Sequence, residues 1–482
     1  MGLLSSIKRW LDMIFKQQAE DDFDVKSVVS PEMEVILRRC ANIYAGAPPW
    51  LSADNDIRTI NFAKAVSSET ARLATLAIGI QIEGSARAEW LQQQIDAIYF
   101  HLREWVEFSC AYGTVFLKPN GDGLDLFTPK DILLVDYDNL GIKGIIFKDS
   151  YTQGDRFYTR LEYHRFVETT ENGVTTYPYY ISNRTYMSKS ADSIGDKIPM
   201  AETKWAGIME DTPPILKASD EKLDGPMFGM LRTPQANNID IDSPLGLPMY
   251  SEAVEELKDL DVAYSRNAGE IWDSQKIVLA DDRLLMPDGQ KVTDRTPEQI
   301  RAKREQMGLP RYVKNVFGSD AKEFYSEINP QLNTETRLAG INALLSQIGY
   351  KCGYSNGYFV FNEKSGMVTA TQVESDDRRT IQLIKDVRDK LENALDGAIY
   401  ALSVYADLYG LAPVGTYEIT YDFGDITYSR EEDRARWWQY VTQGKVPAWM
   451  YFQKFEGMSE EDAKAMVEEA APKEDNKLFG EE

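Results

Sequence analysis

The sequence predicts an α+β fold, mainly helical, with one β-rich stretch set between helical ones. Three observations predict it. Apolar residues recur at helical spacing through most of the first 112 residues and again over 334–348. Between Gly113 and Tyr186 the period changes to two, in short apolar runs separated by Gly, Asn and Asp turns. From Thr369 the helical pattern runs on to Tyr409, about 60 Å at 1.5 Å per residue.

In chain order, Leu3, Leu4, Ile7, Trp10, Leu11, Ile14 and Phe15 share one face at helical spacing. This predicts an N-terminal arm, 1–30, that docks on its own body or on a neighbouring subunit. A membrane-surface helix is the sharper reading, and the acidic balance of the chain does not favour it. Ser30-Pro31 opens a helix as N-cap and first-turn proline, and Gly46 and Pro48-Pro49 stop it after Tyr44. Helices are predicted over 57–77 and 86–112, then strands over 114–117, 132–135, 145–147, 160–166 and 175–181. A helix over 251–272 has Val254, Leu257, Tyr264 and Ala268 on one stripe. Residues 276–328 read as a small mixed module, with strands at 276–280, 312–317 and 324–328 around a helix at 297–307. After the helix at 334–348 come a Gly/aromatic loop and the long helix, which is longer than one compact domain needs. A helix crossing between layers of an assembly is the expected reason. A strand at 417–423 leads to helices over 429–470, broken at Gly444 and Gly457, and the charged tail from Pro472 is predicted to be disordered.

Composition excludes several functions. The 482 residues allow two to four domains. Lys+Arg number 53 against 77 Asp+Glu, a net charge of −24, which argues against wrapping duplex DNA by counterion release. It leaves open a protein that lets DNA move past it. Cys40, Cys110 and Cys352 are far apart, odd in number and without CxxC, so neither a disulfide framework nor a zinc site is expected, and the compartment is read as reducing. The two histidines, His101 and His164, cannot build a His-rich metal site, and His101 is expected at a packed helix surface. HExxH, GxxxxGK[ST] and GxGxxG are absent. No catalytic residue, metal or cofactor is assigned. No apolar run reaches the 18 or so residues of a membrane span, no secretion leader is read, and Met1-Gly2 with Ser6 fits only the bare acylation pattern.

Several runs, in this order, carry a likeness. They are Asn42-Ile43-Tyr44-Ala45-Gly46-Ala47-Pro48-Pro49-Trp50, Ala111-Tyr112-Gly113-Thr114-Val115-Phe116-Leu117-Lys118, Ser243-Pro244-Leu245-Gly246 with Asp259, Asp261 and Tyr264 beyond it, Thr369-Ala370-Thr371-Gln372-Val373, and Asp422-Phe423-Gly424-Asp425. Together they resemble the bacteriophage portal proteins, in the branch of tailed phages and prophages of Gram-positive hosts. Gln372 departs from the acidic residue frequent there.

The resemblance implies a portal fold: wing (31–250), two stem helices (251–273 and 331–352), a small αβ clip (274–330), a tunnel loop (353–368), a long wing helix and strand (369–427) and a helical crown (428–470). It implies a homo-oligomeric ring of twelve subunits at one capsid vertex, assembled in the host cytoplasm and kept in the virion. Scaffold and major capsid proteins, the terminase and head-completion or adaptor proteins would be its partners, with double-stranded DNA passing non-specifically through the tunnel. No membrane partner is expected. An acidic wall suits a conduit, because it lets a polyanion slide.

Lys351, Asn356, Asn362 and Lys364 are the candidates to face DNA, the alternative being solvated loop residues. Tyr354, Tyr358, Phe359 and Phe361 are expected to pack against a neighbouring subunit. In the clip, Arg295, Arg301, Arg304, Arg311 and Lys314 are candidates for docking an acidic partner, with ion pairing inside the ring as the alternative. Two other readings stand beside the portal: another virion structural or adaptor protein, and a carboxylate hydrolase using the DxD spacings Asp54/Asp56 or Asp240/Asp242.

Overall fold

A computed structural model describes residues 15–52, 56–121, 123–139, 141–171, 174–190, 193–217, 221–273, 277–281, 296, 298, 312–316, 325–328, 334–361, 378–424, 430–456 and 458–470. These fall into two compact units, one within 1–75 and 79–422, the other within 76–78 and 423–482. The fold is α+β.

The first described helix, α1 (15–23), buries Phe15 and Ala19 among Leu133, Ile146, Leu161 and Tyr186. At this end the arm docks on its own chain; residues 1–14 lie outside the described residues. In α2 (Pro31–Tyr44) the cap reads as expected, since Ser30 Oγ accepts the Met33 N–H at 3.3 Å and Pro31 opens the first turn.

The next helix, α3 (Phe62–Ala74), is shorter at both ends than the pattern predicts. Upstream, side chains from a distant helix take the backbone N–H groups of Arg58 and Ile60 that a helix would need. Downstream, the apolar run leads into strand β1 (Gly79–Gly84). The helix expected over 86–112 is two, α4 (Ala86–Ile98) and α5 (Leu102–Tyr112), separated by a 3₁₀ turn at Tyr99–His101. The halves pack on different partners, α4 on β1 and α5 on α3. The turn exposes His101, whose ring stacks on Trp105, so the packed position expected for it is not observed.

The β region comprises β2 (Thr114–Pro119), β3 (Leu124–Phe127), β4 (Ile132–Asp138), β5 (Gly141–Gln153), β6 (Arg156–Phe166), β7 (Thr169–Glu171), β8 (Val174–Thr176), β9 (Tyr179–Ser188), β10 (Asp196–Ile198) and β11 (Gly229–Arg232). The single strand expected over 175–181 is split between β8 and β9 at Pro178, which has no N–H for a ladder. The antiparallel order β10-β9-β6-β5-β4 forms the main sheet, and β11-β2-β3 a second one. Between them Phe116, Phe127, Phe147 and Phe228 meet edge to face at centroid distances of 5.2–5.8 Å, with Met33 of α2 beside them.

A long amphipathic helix follows, α6 (Val254–Asp273), then β12 (Ile277–Asp281), β13 (Tyr312–Val316) and β14 (Tyr325–Ile328). β12 is central in this small sheet, parallel to β13 and antiparallel to β14. The helix expected at 297–307 lies outside the described residues, Glu298 apart. The chain returns in α7 (Thr334–Lys351), packed along α6, and continues to α8 (Arg378–Tyr409).

α8 has 32 residues, and 369–377 lie outside the described residues. Its apolar stripe, Ile384, Val387, Leu391, Leu395, Ala398 and Leu402, is buried within its own chain, where α8 packs on β11, β2, α3 and α4. Packing within the chain thus engages the described length of the helix. Contact with β11 requires Gly229, where a Cβ would lie 1.9 Å from the Ala394 carbonyl oxygen. Strand β15 (Tyr417–Asp422) closes the unit by pairing with β1.

The other unit holds α9 (Arg430–Thr442), α10 (Ala448–Glu456) and α11 (Glu460–Ala470). Phe455 is its aromatic centre, 5.1 Å from Tyr451 and 6.1 Å from Trp437. Gly444, at φ 68°, makes the turn after α9, and Ser459 Oγ caps α11 at the Asp462 N–H.

Candidate functional site

Of the five motif runs, 369–373 lie outside the described residues and Asp422 ends β15 opposite Gly79; the other three, 42–50, 111–118 and 243–246 with Asp261 beyond it, meet near the start of α6. Trp50 and Asp261 meet there, the indole Nε1 donating to the buried carboxylate at 2.9 Å. The other oxygen of Asp261 accepts the Ile60 N–H, also at 2.9 Å, and Ser265 Oγ accepts that of Arg58 at 2.8 Å. The connector after α2 is thus pinned along one side of α6. A second junction joins Gly113 to Gly246. A Cβ on either would fall within 2.6 Å of the other's backbone, and Gly113 also has a φ of 82°. Thr114 Oγ1 takes the Gly246 N–H at 2.7 Å.

α6 and α7 are tied end to end. Lys351, in the last turn of α7, reaches Glu256 at 2.5 Å and the Glu252 carbonyl at 3.0 Å. Contact between the start of one helix and the end of the other makes the pair antiparallel. The small sheet is joined to the opposite ends of both.

The segment after α7 folds back. Tyr354 is fully buried, its hydroxyl 2.7 Å from Thr70 Oγ1, and burial pushes its pKa up. Tyr358 donates to Glu69 at 2.6 Å. The Arg72 guanidinium beside Glu69 holds that carboxyl below its usual range, Tyr358 adding to the effect against burial. Phe359 meets Tyr354, Tyr358 and Phe62 edge to face. Ser355 and Thr380 exchange hydrogen bonds, which fixes the start of α8 to this turn. Tyr354 is buried and Tyr358 and Phe359 are half-buried in contacts within the chain, where packing on a neighbour was expected; Phe361 is exposed, and 362–368 of the loop lie outside the described residues.

Among the candidates to face DNA, Lys351 is helical and its ammonium is held by α6. Asn356 is exposed and accepts a hydrogen bond from Ser346. Asn362 and Lys364 lie outside the described residues. So do the clip candidates Arg295, Arg301, Arg304 and Arg311, and the side chain of Lys314, whose backbone pairs with Leu279.

Sequence reasoning missed a buried ionic network in the main sheet. Glu162 accepts from Lys118 at 2.6 Å and from Arg160 at 2.9 Å through one oxygen, and its other oxygen lies 3.0 Å from His164 Nε2. His164 Nδ1 is 2.9 Å from the Tyr179 hydroxyl, which accepts the Met227 N–H. That acceptance leaves the Tyr179 proton for Nδ1, so the ring is neutral with its proton on Nε2. Burial lowers the pKa of His164 and of Lys118. Burial alone would raise that of Glu162, but Arg160 and Lys118 pull it well below the usual value. The signal was the strand alternation that puts Arg160, Glu162 and His164 on one face. Arg160 also donates to Asn120 and lies 3.5 Å from Asp149, while its Nε and Nη1 have no hydrogen-bond partner.

Among the described residues, no group of three or more His, Cys, Asp or Glu is placed to hold a metal ion, and no helix is long and apolar enough to cross a membrane.

No protein-family model matches the chain, and no curated protein matches it. Among solved structures, a chain from the virion of a native gene transfer agent (GTA) particle is similar to this one with a TM-score of 0.40 and 12% identity, over 90% of this chain and 96% of that one.

Proposed function

We propose that the chain is the subunit of a phage portal: a ring at one capsid vertex through which the genome enters and leaves. The observation that carries this reading is the antiparallel α6–α7 pair with a three-stranded sheet on its far end. Such a pair makes a stalk, and copies of a stalk set around an axis make a channel wall. The resemblance of the motif runs, three of which meet near the start of α6, supports the same reading.

In this function the chain works without chemistry of its own. The −24 charge keeps DNA from adhering. Asn356, which is exposed, faces the passage, and Asn362 and Lys364 remain the further candidates to centre the strand. The basic run with Arg295, Arg301, Arg304, Arg311 and Lys314 meets the terminase and, later, the head-completion proteins. Scaffold and major capsid proteins contact the ring during assembly.

Native mass spectrometry with negative-stain imaging of purified protein tests the reading. The expected outcome is a closed ring near twelve subunits with a central hole. A compact monomer or dimer at micromolar concentration overturns it.

A further inference from the structure

We infer that Asn356 is a modification site, at which the folded protein loses the side-chain amide spontaneously and gains aspartate or isoaspartate. The sequence holds three Asn-Gly pairs, Asn120-Gly121, Asn172-Gly173 and Asn356-Gly357. A glycine has no Cβ to shield its backbone nitrogen from the side chain before it. The second pair lies outside the described residues, so the effect of the fold is read from the other two.

Asn356-Gly357 stands in the turn after α7, closed by the Tyr358 N–H on the Ser355 carbonyl at 3.2 Å. Asn356 is exposed, and Gly357 has a φ of 79° with no atom within 4 Å of where a Cβ would lie. One hydroxyl touches both reacting groups. Ser346 Oγ, on α7, donates to Asn356 Oδ1 and accepts the Gly357 N–H at 3.0 Å. A hydroxyl so placed passes a proton to the amide oxygen and takes one from the attacking nitrogen.

The chemistry needs water and no other reactant. The Gly357 nitrogen bonds to Asn356 Cγ; its proton goes to Ser346 Oγ while the Ser346 proton goes to Oδ1. The Cγ–Nδ2 bond of this adduct then breaks, and Nδ2 leaves as ammonia with the proton from Oδ1. A five-membered imide remains, and water opens it at either carbonyl to give aspartate or isoaspartate. Within the portal reading each conversion adds a negative charge to the passage, but the reaction itself requires no ring.

Asn120 is the contrast. Its Oδ1 accepts from Arg160, and its Nδ2 donates to Asp125 and, at 3.1 Å, to Asp149. The Gly121 N–H donates to a different residue, the Tyr405 hydroxyl, at 3.3 Å. Held at both ends, the Asn120 amide cannot swing onto the Gly121 nitrogen.

The test holds the folded protein at pH 7.4 and 37 °C, samples it over weeks and digests it at mildly acid pH. Mass spectrometry reads each conversion as a gain of about 1 Da. The Asn356 peptide is expected to convert at least fivefold faster than the Asn120 peptide, into two chromatographically separate products. In guanidinium chloride the two should convert within twofold of each other, since both are Asn-Gly. No conversion at Asn356, or a rate no higher than that at Asn120, overturns the proposal. The same fivefold gap in denaturant also overturns it, because flanking sequence is then the cause. Ser346→Ala is expected to slow Asn356 at least twofold, and Ser346→Thr, which keeps the hydroxyl, to hold the wild-type rate. A faster or unchanged rate in Ser346→Ala means that the hydroxyl only clamps the turn, and overturns the relay. Slow conversion at Asn120 in the same sample shows that the variant is folded; the wild-type comparison needs no variant.

Discussion

Glu162 carries the charge balance of the β region, because Lys118 and Arg160 both depend on it and neither reaches water. Glu162→Ala leaves two buried cations facing each other, a loss of about 3–5 kcal/mol. A large fall in the thermal midpoint of the variant checks this, and a fall of only a degree or two contradicts it. The same cluster sets a pH dependence. His164, faced by Glu162, Lys118, Arg160 and Tyr179, is held neutral with its pKa below the free value of 6.5. Above that pH both states are unprotonated and nothing is lost. As the pH falls below 6.5 the unfolded chain takes the proton first, so stability declines. Glu162 acts in the same sense at lower pH, since its contribution is present above 4.5 and is lost as the pH falls toward its depressed folded value. Melting midpoints between pH 7.5 and 5 should drop in wild type and drop less in His164→Gln; parallel curves would exclude His164 as the source. The thiols give a residue-scale check of the core. Burial pushes Cys40, Cys110 and Cys352 up to about 12, so none should react with Ellman's reagent at pH 8 until urea unfolds the chain.

Elements were legible where their signal is local. The Ser30-Pro31 cap, the three strands of the small sheet and the Gly444 turn depend on neighbours in sequence, and pattern reasoning found them. It failed where a distant group took over the backbone. Residues 57–61 have helical periodicity, yet Asp261 and Ser265 hold their N–H groups. The break at Tyr99–His101 arises from two different packing partners, which no window of sequence contains. The candidate site divides in the same way. Gly113, Gly246, Trp50 and Asp261 stood out as motif residues, but only the fold shows that they form two joints. His164 was missed because it was read alone, not with its strand mates Arg160 and Glu162. The Asp261 joint is testable. Asp261→Ala removes the carboxylate that accepts the half-buried Trp50 indole and Ile60 N–H groups, at about 1 kcal/mol each. Amide exchange at Ile60 should accelerate at least tenfold while β5 and β6 keep wild-type protection. Unchanged exchange at Ile60 would mean that the connector is held by other contacts.

At the scale of the whole molecule, charge and assembly oppose each other. Each chain carries −24, so neighbours in the proposed ring repel through the solvent, and this repulsion acts over a Debye length. That length falls from about 30 Å at 0.01 M salt to about 8 Å at 0.15 M. An interface held by burial of apolar surface does not weaken as salt rises, whereas exposed ion pairs do. The two kinds of interface therefore predict opposite responses. If apolar contacts hold the ring and net charge opposes it, the fraction assembled at fixed protein concentration should rise between 0.01 and 0.15 M salt. Exposed ion pairs across the seam would lose strength over the same range, but each contributes under about 1 kcal/mol, so the relief of whole-chain repulsion prevails. Particle mass across a salt series decides between them: rings lost on adding salt would mean that ion pairs hold the assembly. In the proposed channel the same repulsion would leave duplex DNA mobile, because a wall that released many counterions on contact would hold the strand.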